Sequence, residues 1–149
     1  MEYNARRGHE FIGVSAVALV HDGKGNLLLQ KRGEQARDEQ GSWDLCGGAI
    51  ELGDTIEETI RKELQEELCT TPVNMQFLTA YDAHRLINGQ QTHWVAIVYA
   101  VQVDPSTVSI GEPNKIAELG WFTSSSLPES LHSQFYKSFS VADKQGIIR

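Results

Sequence analysis

Cysteine is scarce in this sequence, and long apolar runs are missing from it. Only two of its 149 residues are cysteines, Cys46 and Cys69. Two thiols form neither a disulfide framework nor a four-thiolate zinc site, so we expect a reduced, cytoplasmic protein. No segment approaches the roughly 20 apolar residues of a membrane-spanning helix, and residues 1–10 lack the hydrophobic core of a signal peptide. We therefore predict a soluble protein without a membrane partner.

Positive charge is also in short supply. Thirteen Lys and Arg residues stand against 20 Asp and Glu residues, which gives a net charge of −7 at pH 7. A protein that binds a nucleic-acid polymer needs clustered positive charge, so this balance argues against such a partner. A phosphorylated small molecule stays open as a partner, because acidic side chains bind phosphates through divalent cations.

The apolar content is sufficient for one packed core. Hydrophobic residues make up 40% of the chain and charged residues 22%, which is the composition of an ordinary globular domain. The chain has no internal repeat, low-complexity tract or linker. We therefore expect residues 1–149 to form a single domain.

Apolar, β-branched segments surround one strongly helical pattern. The predicted elements are a hairpin over 11–32, a helix over 54–69, strands over 74–84 and 92–103 joined at Asn88-Gly89, a strand over 118–122 and a helical tail from Leu127 to Phe139. The segment THWVAIVYAV is apolar at almost every position, which indicates a strand covered on both faces. The order predicts an α/β (α+β) fold, a sandwich in which a helix packs on a mixed sheet.

The predicted helix carries three carboxylates beside its apolar stripe. On a helical wheel, Glu63, Glu66 and Glu67 border the side formed by isoleucines and leucines. Like charges at this spacing repel by roughly 0.2–0.5 kcal/mol per exposed pair, and partial burial raises that cost. Divalent cations would relieve it, and an all-oxygen donor set selects Mg²⁺ or Mn²⁺. The wheel alone leaves open a surface helix whose glutamates pair with neighbouring basic residues.

A glycine-rich loop leads into this helix. Gly47, Gly48 and Gly53 permit close backbone approach and sharp bends. Such a loop before a helix resembles an anion cradle, although the Gly-Lys-Ser/Thr ending of a P-loop is absent. Taken alone, these glycines favour an ordinary turn over an anion cradle.

Loop and helix together resemble the Nudix box, G-x5-E-x7-R-E-U-x-E-E-x-G-U, where U is a bulky aliphatic residue. Residues 48–70 align with it: Gly48 takes the first position, and Glu63, Leu64, Glu66 and Glu67 take the positions E-U-x-E-E. Four positions depart from the pattern, and they hold Asp54, Lys62, Cys69 and Thr70. Lys62 keeps the charge of the motif arginine but lacks its planar fork. The three glutamates are intact, so an active enzyme is expected.

The resemblance extends beyond the box. GSWDLCGG is similar to the family pattern G-x-W-x-x-P-G-G, with Cys46 in the proline position. LLLQKR resembles the strand that often supplies a substrate-side arginine, here Arg32. ELGWFTSSSLP resembles a common C-terminal pattern of the family. These flanks imply the Nudix α/β/α sandwich.

The resemblance implies a hydrolase that cleaves a phosphoanhydride bond in a nucleoside diphosphate linked to another group, with Mg²⁺ or Mn²⁺ as cofactor. The substrates of the family include nucleoside triphosphates, ADP-ribose and nucleotide sugars. The resemblance implies that Glu63, Glu66 and Glu67 bind the metal and that Lys62 orients these glutamates. It implies that the proton of the attacking water is accepted by Glu66 or by a loop carboxylate, with Glu112 the first candidate and Glu118 the second. It also implies substrate binding by Arg32, Gly48 and Trp43. A homodimer is also expected from the resemblance.

Two other functions stay open. A Nudix-fold domain that senses a nucleotide without cleaving it would be catalytically silent, and an acidic helix could instead bind a protein partner. Aromatic and histidine side chains could stack on a base, among them Tyr81 and Trp94. His84 and His93 lie across the predicted hairpin, but two histidines without a third ligand are weak evidence for zinc.

Overall fold

The structure is a computed structural model that describes residues 6–149. The predicted single domain and the predicted lack of a signal-peptide core both involve residues 1–5, which lie outside that range. The described elements are β1 (Gly13–His21), β2 (Leu27–Arg32), β3 (Trp43–Asp44), β4 (Cys46–Ala49), α1 (Ile56–Leu68), β5 (Asn74–Ile87), β6 (Gln90–Gln102), β7 (Ile116–Phe122) and α2 (Phe135–Lys144). A short 3-10 turn, Pro105–Thr107, follows β6.

The strands form one mixed sheet. Its main order is β3-β2-β1-β6-β5, with β1 parallel to β6 and the other neighbours antiparallel. Strand β1 touches β2 only at its end, where His21 faces Leu27, and over Ser15–Ala18 it pairs with β4 instead. Strand β7 adds to β2 on its other side. The sheet therefore divides between β2 and β4, and the cavity described below lies at that division.

Apolar layers cover both faces of the sheet. On one face α1 packs against β1, β4 and β6 through Ile60, Leu64 and Leu68, which are all buried. On the other face α2 packs through Phe135, Phe139 and Ala142. Strand β6 supplies Val98 and Ala100 to the second layer and Val101 to the first. The predicted α/β/α sandwich with a doubly covered β6 is therefore confirmed.

Helix α1 begins and ends at residues with recognisable capping geometry. The Thr55 side chain accepts a hydrogen bond from the Glu58 amide, and Glu58 accepts one from the Thr55 amide, which forms a capping box. At the other end Cys69 adopts the left-handed conformation, with φ of 56°. The left-handed C-terminal cap is a position that glycine favours.

The β5–β6 hairpin is longer than its sequence pattern indicated. Its strands run on to Ile87 and from Gln90, and the turn between them holds Asn88 and Gly89 at positive φ. Both central residues of a type I′ turn need positive φ, which explains the Asn-Gly pair. The predicted turn is therefore correct, but the two predicted strands stop short of it.

The predicted helical tail from Leu127 to Phe139 is wrong over its first half, because α2 begins at Phe135. The preceding backbone hydrogen-bonds to β3 instead of to itself. The Trp43 amide donates to the Ser130 carbonyl at 2.7 Å, and the His132 amide donates to the Trp43 carbonyl at 2.9 Å. In residues 6–149 no helix has the length and apolar character needed to cross a membrane.

Candidate active site

A cavity of about 410 Å³ opens where β2 and β4 diverge beside α1. Six carboxylates line it. Asp38 and Asp44 pair with Arg32, and the other four, three from α1 and one from the loop before β7, are Glu63, Glu66, Glu67 and Glu112. We call these four residues the carboxylate cluster. Basic and amide side chains line the remaining wall, among them Gln30, Arg32, Arg37, Arg85 and Lys115. The cavity therefore combines a concentrated negative charge with hydrogen-bond donors.

Glu63 lies directly against the glycine loop. A Cβ atom on Gly48 would collide with the Glu63 carboxylate. Gly48 pairs with Ala16 of β1, so its backbone cannot easily move away. Glycine at this position therefore makes room for the Glu63 carboxylate, so it is the packing of α1 on β4 that requires a residue without a side chain here.

Glu67 is the most enclosed member of the cluster. Its carboxylate accepts hydrogen bonds from the Cys46 thiol at 2.8 Å and from the Gly47 amide at 3.3 Å. Burial and the nearby Glu67 charge raise the pKa of Cys46 well above its ordinary value, so the thiol keeps the proton that it donates. Cys46 thus does what the family proline at this position cannot do, since proline carries no side-chain donor.

The electrostatics of the cluster oppose its own ionisation. Burial, followed by repulsion from Glu66 and Glu112, raises the pKa of Glu63 to about 7. Burial, together with repulsion from Glu63 and Glu112, raises the pKa of Glu67 to about 7 as well. A group of carboxylates with this property requires positive charge nearby to ionise fully at neutral pH.

A divalent cation fits this donor set. All four side chains of the cluster offer oxygen atoms, the ligands that Mg²⁺ and Mn²⁺ prefer. Magnesium usually takes one or two protein carboxylates and completes its shell with water and phosphate oxygens. The open cavity beside the cluster leaves room for those further ligands.

Glu112 reaches the cavity because its loop is docked on the end of α1. The Gly111 amide donates to the Glu67 carbonyl at 2.9 Å, and the Ser109 amide donates to the Leu68 carbonyl at 3.0 Å. A Cβ atom on Gly111 would collide with the Glu66 carbonyl oxygen. The loop therefore caps the helix while presenting Glu112, whose carboxylate pairs with Lys115 at 3.5 Å.

Arg32, which was predicted to bind substrate, does line the cavity, but its guanidinium already forms hydrogen bonds within the protein. It donates to Asp38 at 2.9 Å and to Asp44 at 3.4 Å. Arg85 pairs with Glu39 of the same loop at 2.8 Å. These partly buried pairs hold the loop over 33–42 against the sheet, so Arg32 acts first as an anchor for that loop.

Three other predicted residues lie away from the cavity lining. The Trp43 indole packs edge-to-face on Phe122, with ring centroids 5.3 Å apart, as part of the apolar layer. Lys62 is exposed on α1, although its charge opposes the rise in the pKa of Glu63. Glu118 is exposed on β7 opposite Lys31, so of the two predicted loop carboxylates Glu112 is the one that lines the cavity.

Several cavity residues were not predicted from the sequence. Gln30 is only 7% exposed, and its amide oxygen is buried without a hydrogen-bond partner among residues 6–149, while its nitrogen lies 3.5 Å from Glu67. Arg37 lies 5.8 Å from the ring centroid of Trp94, which the sequence did offer as a stacking residue, and both line the cavity. A polar residue inside the apolar strand LLLQKR was the available signal for Gln30.

Fold and site together define a protein in which a glycine loop and the helix that follows it present a cluster of carboxylates to a cavity. The family model for the NUDIX domain matches residues 12–141. The chain therefore belongs to the Nudix hydrolase family, as the sequence resemblance implied.

Individual relatives agree with this assignment. An uncharacterised Nudix hydrolase of Yersinia pestis is 30% identical over 108 residues, which cover 69% of this chain and 54% of that protein. The chain thus spans about half the length of that curated relative. The crystal structure of a MutT NUDIX hydrolase from Burkholderia pseudomallei superposes with a TM-score of 0.77 and 29% identity, covering 87% of this chain and 96% of that one. A MutT protein from Methanosarcina mazei gives a TM-score of 0.74 and 24% identity, covering 90% and 94% of the two chains.

Proposed function

We propose that this hydrolase cleaves a phosphoanhydride bond in a nucleoside diphosphate linked to a further group, and that it does so with Mg²⁺ or Mn²⁺. The observation that carries the proposal is the convergence of Glu63, Glu66, Glu67 and Glu112 on one cavity, with the pKa of Glu63 and of Glu67 raised to about 7. Nucleoside triphosphates, ADP-ribose and nucleotide sugars all contain such a bond.

In the proposed mechanism Glu63, Glu66 and Glu67 would hold the cation. A bound divalent cation neutralises phosphate charge and lowers the pKa of water. Gly48 keeps the place of the Glu63 carboxylate open, and the Cys46 thiol fixes one oxygen of Glu67. These contacts orient the cluster before substrate arrives, so less reorganisation is needed during the reaction.

Proton transfer falls to the two carboxylates that are less enclosed. Glu66 or Glu112 accepts the proton of the attacking water. Lys115, which pairs with Glu112 in the absence of substrate, also lines the cavity and can bind a phosphate oxygen instead. Its departure from Glu112 would leave that carboxylate free to act as a base.

The opposite wall of the cavity suits the nucleoside part of the substrate. Cβ atoms on Gly8 or Gly13 would both collide with the Trp94 indole, so these glycines hold the ring closely. Arg37 covers the ring from the cavity side. A planar base can exchange with Arg37 on this ring.

A substrate panel with two matched variants tests the proposal. Product formation is measured with Mg²⁺: phosphate or pyrophosphate from nucleoside triphosphates, and the nucleoside monophosphate with the sugar phosphate from ADP-ribose and nucleotide sugars. We expect Glu67→Gln to lower kcat by ~100-fold or more, a common loss when a charge-stabilising group is removed. Glu57→Gln makes the same change on an exposed position of the first turn of α1 and should leave kcat unchanged.

Two results would contradict the proposal. Wild-type protein that binds a nucleotide but releases no product across the panel would indicate a sensing domain instead. Full activity in Glu67→Gln would place the chemistry elsewhere in the cavity.

A further inference from the structure

The outer face of the β5–β6 hairpin carries a group of three metal-binding side chains. His84 lies directly opposite His93 in the strand register, and Asp82 precedes His84 by two residues. Side chains two apart on a strand share a face, as do cross-strand partners. One donor atom from each of Asp82, His84 and His93 lies within 4.8 Å of the other two. The strand pairing therefore brings Asp82 to the two histidines as the third ligand that the sequence pattern did not reveal.

The contacts within the group already hold it in a compact arrangement. The two imidazole rings lie 4.1 Å apart with a 34° angle between their planes. His93 Nε2 lies 2.8 Å from Asp82 Oδ1, a hydrogen bond that shares one proton. A cation bound by both atoms would take the place of that proton.

The chemistry of this donor set differs from that of the carboxylate cluster. Two imidazole nitrogens and one carboxylate oxygen suit Zn²⁺ and its first-row neighbours, whereas Mg²⁺ prefers oxygen ligands alone. Three protein ligands leave at least one coordination position for water or another molecule. The ion expected here is therefore not the one expected at the carboxylate cluster.

The surroundings leave this group accessible. The side chain of Asp82 is 63% exposed and that of His93 is 32% exposed. Both histidines line a second cavity of about 700 Å³, whose other wall is formed by residues 8–12. One cation is near, because Lys137 Nζ donates to the Asp82 backbone carbonyl at 3.0 Å. That ammonium group is bound to the carbonyl, so the Asp82 carboxylate stays available to a metal.

The group is also separate from the candidate active site. The neighbouring cross-strand pair, Ala83 and Trp94, lines the catalytic cavity. Because successive side chains alternate between the faces of a strand, His84 and His93 point to the other side. We propose that Asp82, His84 and His93 bind one transition-metal ion of the zinc class, at a site separate from the carboxylate cluster.

Calorimetric titration of the full chain with Zn²⁺, in excess Mg²⁺ to occupy the carboxylates, tests this proposal. We expect one Zn²⁺ per chain, and a dissociation constant that rises by ~10-fold or more in His84→Ala and in His93→Ala, since each removes a direct ligand. His9→Ala is the matched control, because His9 lines the same cavity but is not part of the three-donor group. It should bind Zn²⁺ as the wild type does.

Further measurements keep the result independent of folding and of the proposed hydrolase activity. Thermal unfolding without metal shows whether each variant folds, and Asp82→Asn gives a conservative third variant. Zinc should shift the imidazole proton resonances of both histidines. Glu67→Gln should bind Zn²⁺ unchanged. The proposal is overturned if no Zn²⁺ binds in excess Mg²⁺, if binding survives both histidine substitutions, or if His9→Ala weakens it equally.

Discussion

At the scale of single residues, Gly48 controls where the Glu63 carboxylate can lie. A methyl group at this position would overlap that carboxylate, and the pairing of β4 with β1 limits any backbone movement. We expect Gly48→Ala to displace Glu63 with little loss of fold stability, because the overlapping atoms belong to the end of a flexible side chain. The predicted result is a protein that folds, with a lower kcat and weaker binding of Mg²⁺.

A double-mutant cycle distinguishes this steric effect from a general loss of stability. In a Glu63→Ala background the collision no longer exists, so adding Gly48→Ala should change thermal stability and cation binding very little. Equal losses from Gly48→Ala in both backgrounds would show that the methyl group disturbs β4 and not the carboxylate.

The sequence identified some cavity residues and missed others for a physical reason. The spacing of Glu63, Glu66 and Glu67 on one helix is a local property, so the wheel and the motif both found it. The thiol bond from Cys46 to Glu67 joins residues 21 positions apart. Whether such residues meet depends on how the loop and the helix pack, which no local pattern contains.

At the scale of secondary-structure elements, α1 follows its apolar period closely, whereas α2 does not follow its sequence pattern. The predicted stripe of α1 is the stripe that packs on the sheet. Over 127–134, the backbone instead hydrogen-bonds to β3 and so does not continue into a helix. Local propensity decides an element only where no stronger long-range partner competes for its backbone groups.

The end of α1 provides a test of backbone strain. Cys69 has φ of 56°, a conformation that costs a residue with a Cβ atom about 1–2 kcal/mol. Glycine avoids that cost but loses part of the gain through its freedom in the unfolded chain. We expect Cys69→Gly to exceed Cys69→Ala in free energy of unfolding by about 1 kcal/mol, as measured by urea denaturation.

The same pair of substitutions at Gln65 is the control, because Gln65 is exposed inside the regular part of α1. There alanine should be the more stable variant by about 1 kcal/mol. If alanine were also the more stable variant at position 69, the left-handed cap would carry no measurable strain.

At the scale of the whole molecule, composition and element order predicted the mixed sheet between two helical layers. They did so because burial on both faces of a central strand such as β6 leaves a continuous apolar run. The single domain over residues 1–149, the homodimer and the cytoplasmic location stay predictions.

The carboxylate cluster also makes the stability of the whole protein depend on pH. The pKa of Glu63 and that of Glu67 rise from 4.5 to about 7 on folding. Between those values the folded protein binds more protons than the unfolded chain, so its free energy of unfolding falls as pH increases. Below pH 4.5 the contribution is fully present, and above about pH 7 it is lost.

We therefore expect protein in a chelating buffer to melt at a lower temperature at pH 7.5 than at pH 5. Asp44, whose pKa is raised by burial, acts in the same direction, and His21, whose pKa is lowered by burial, acts against it. Comparison of the wild type with Glu67→Gln isolates the contribution of Glu67. Between pH 5 and pH 7.5 the free energy of unfolding should fall less in Glu67→Gln than in the wild type, by on the order of 2 kcal/mol. Mg²⁺ should restore the wild type at pH 7.5, because a cation favours the ionised carboxylates. Parallel pH profiles for the wild type and Glu67→Gln in the chelating buffer would show that the cluster ionises freely and imposes no electrostatic cost on the fold.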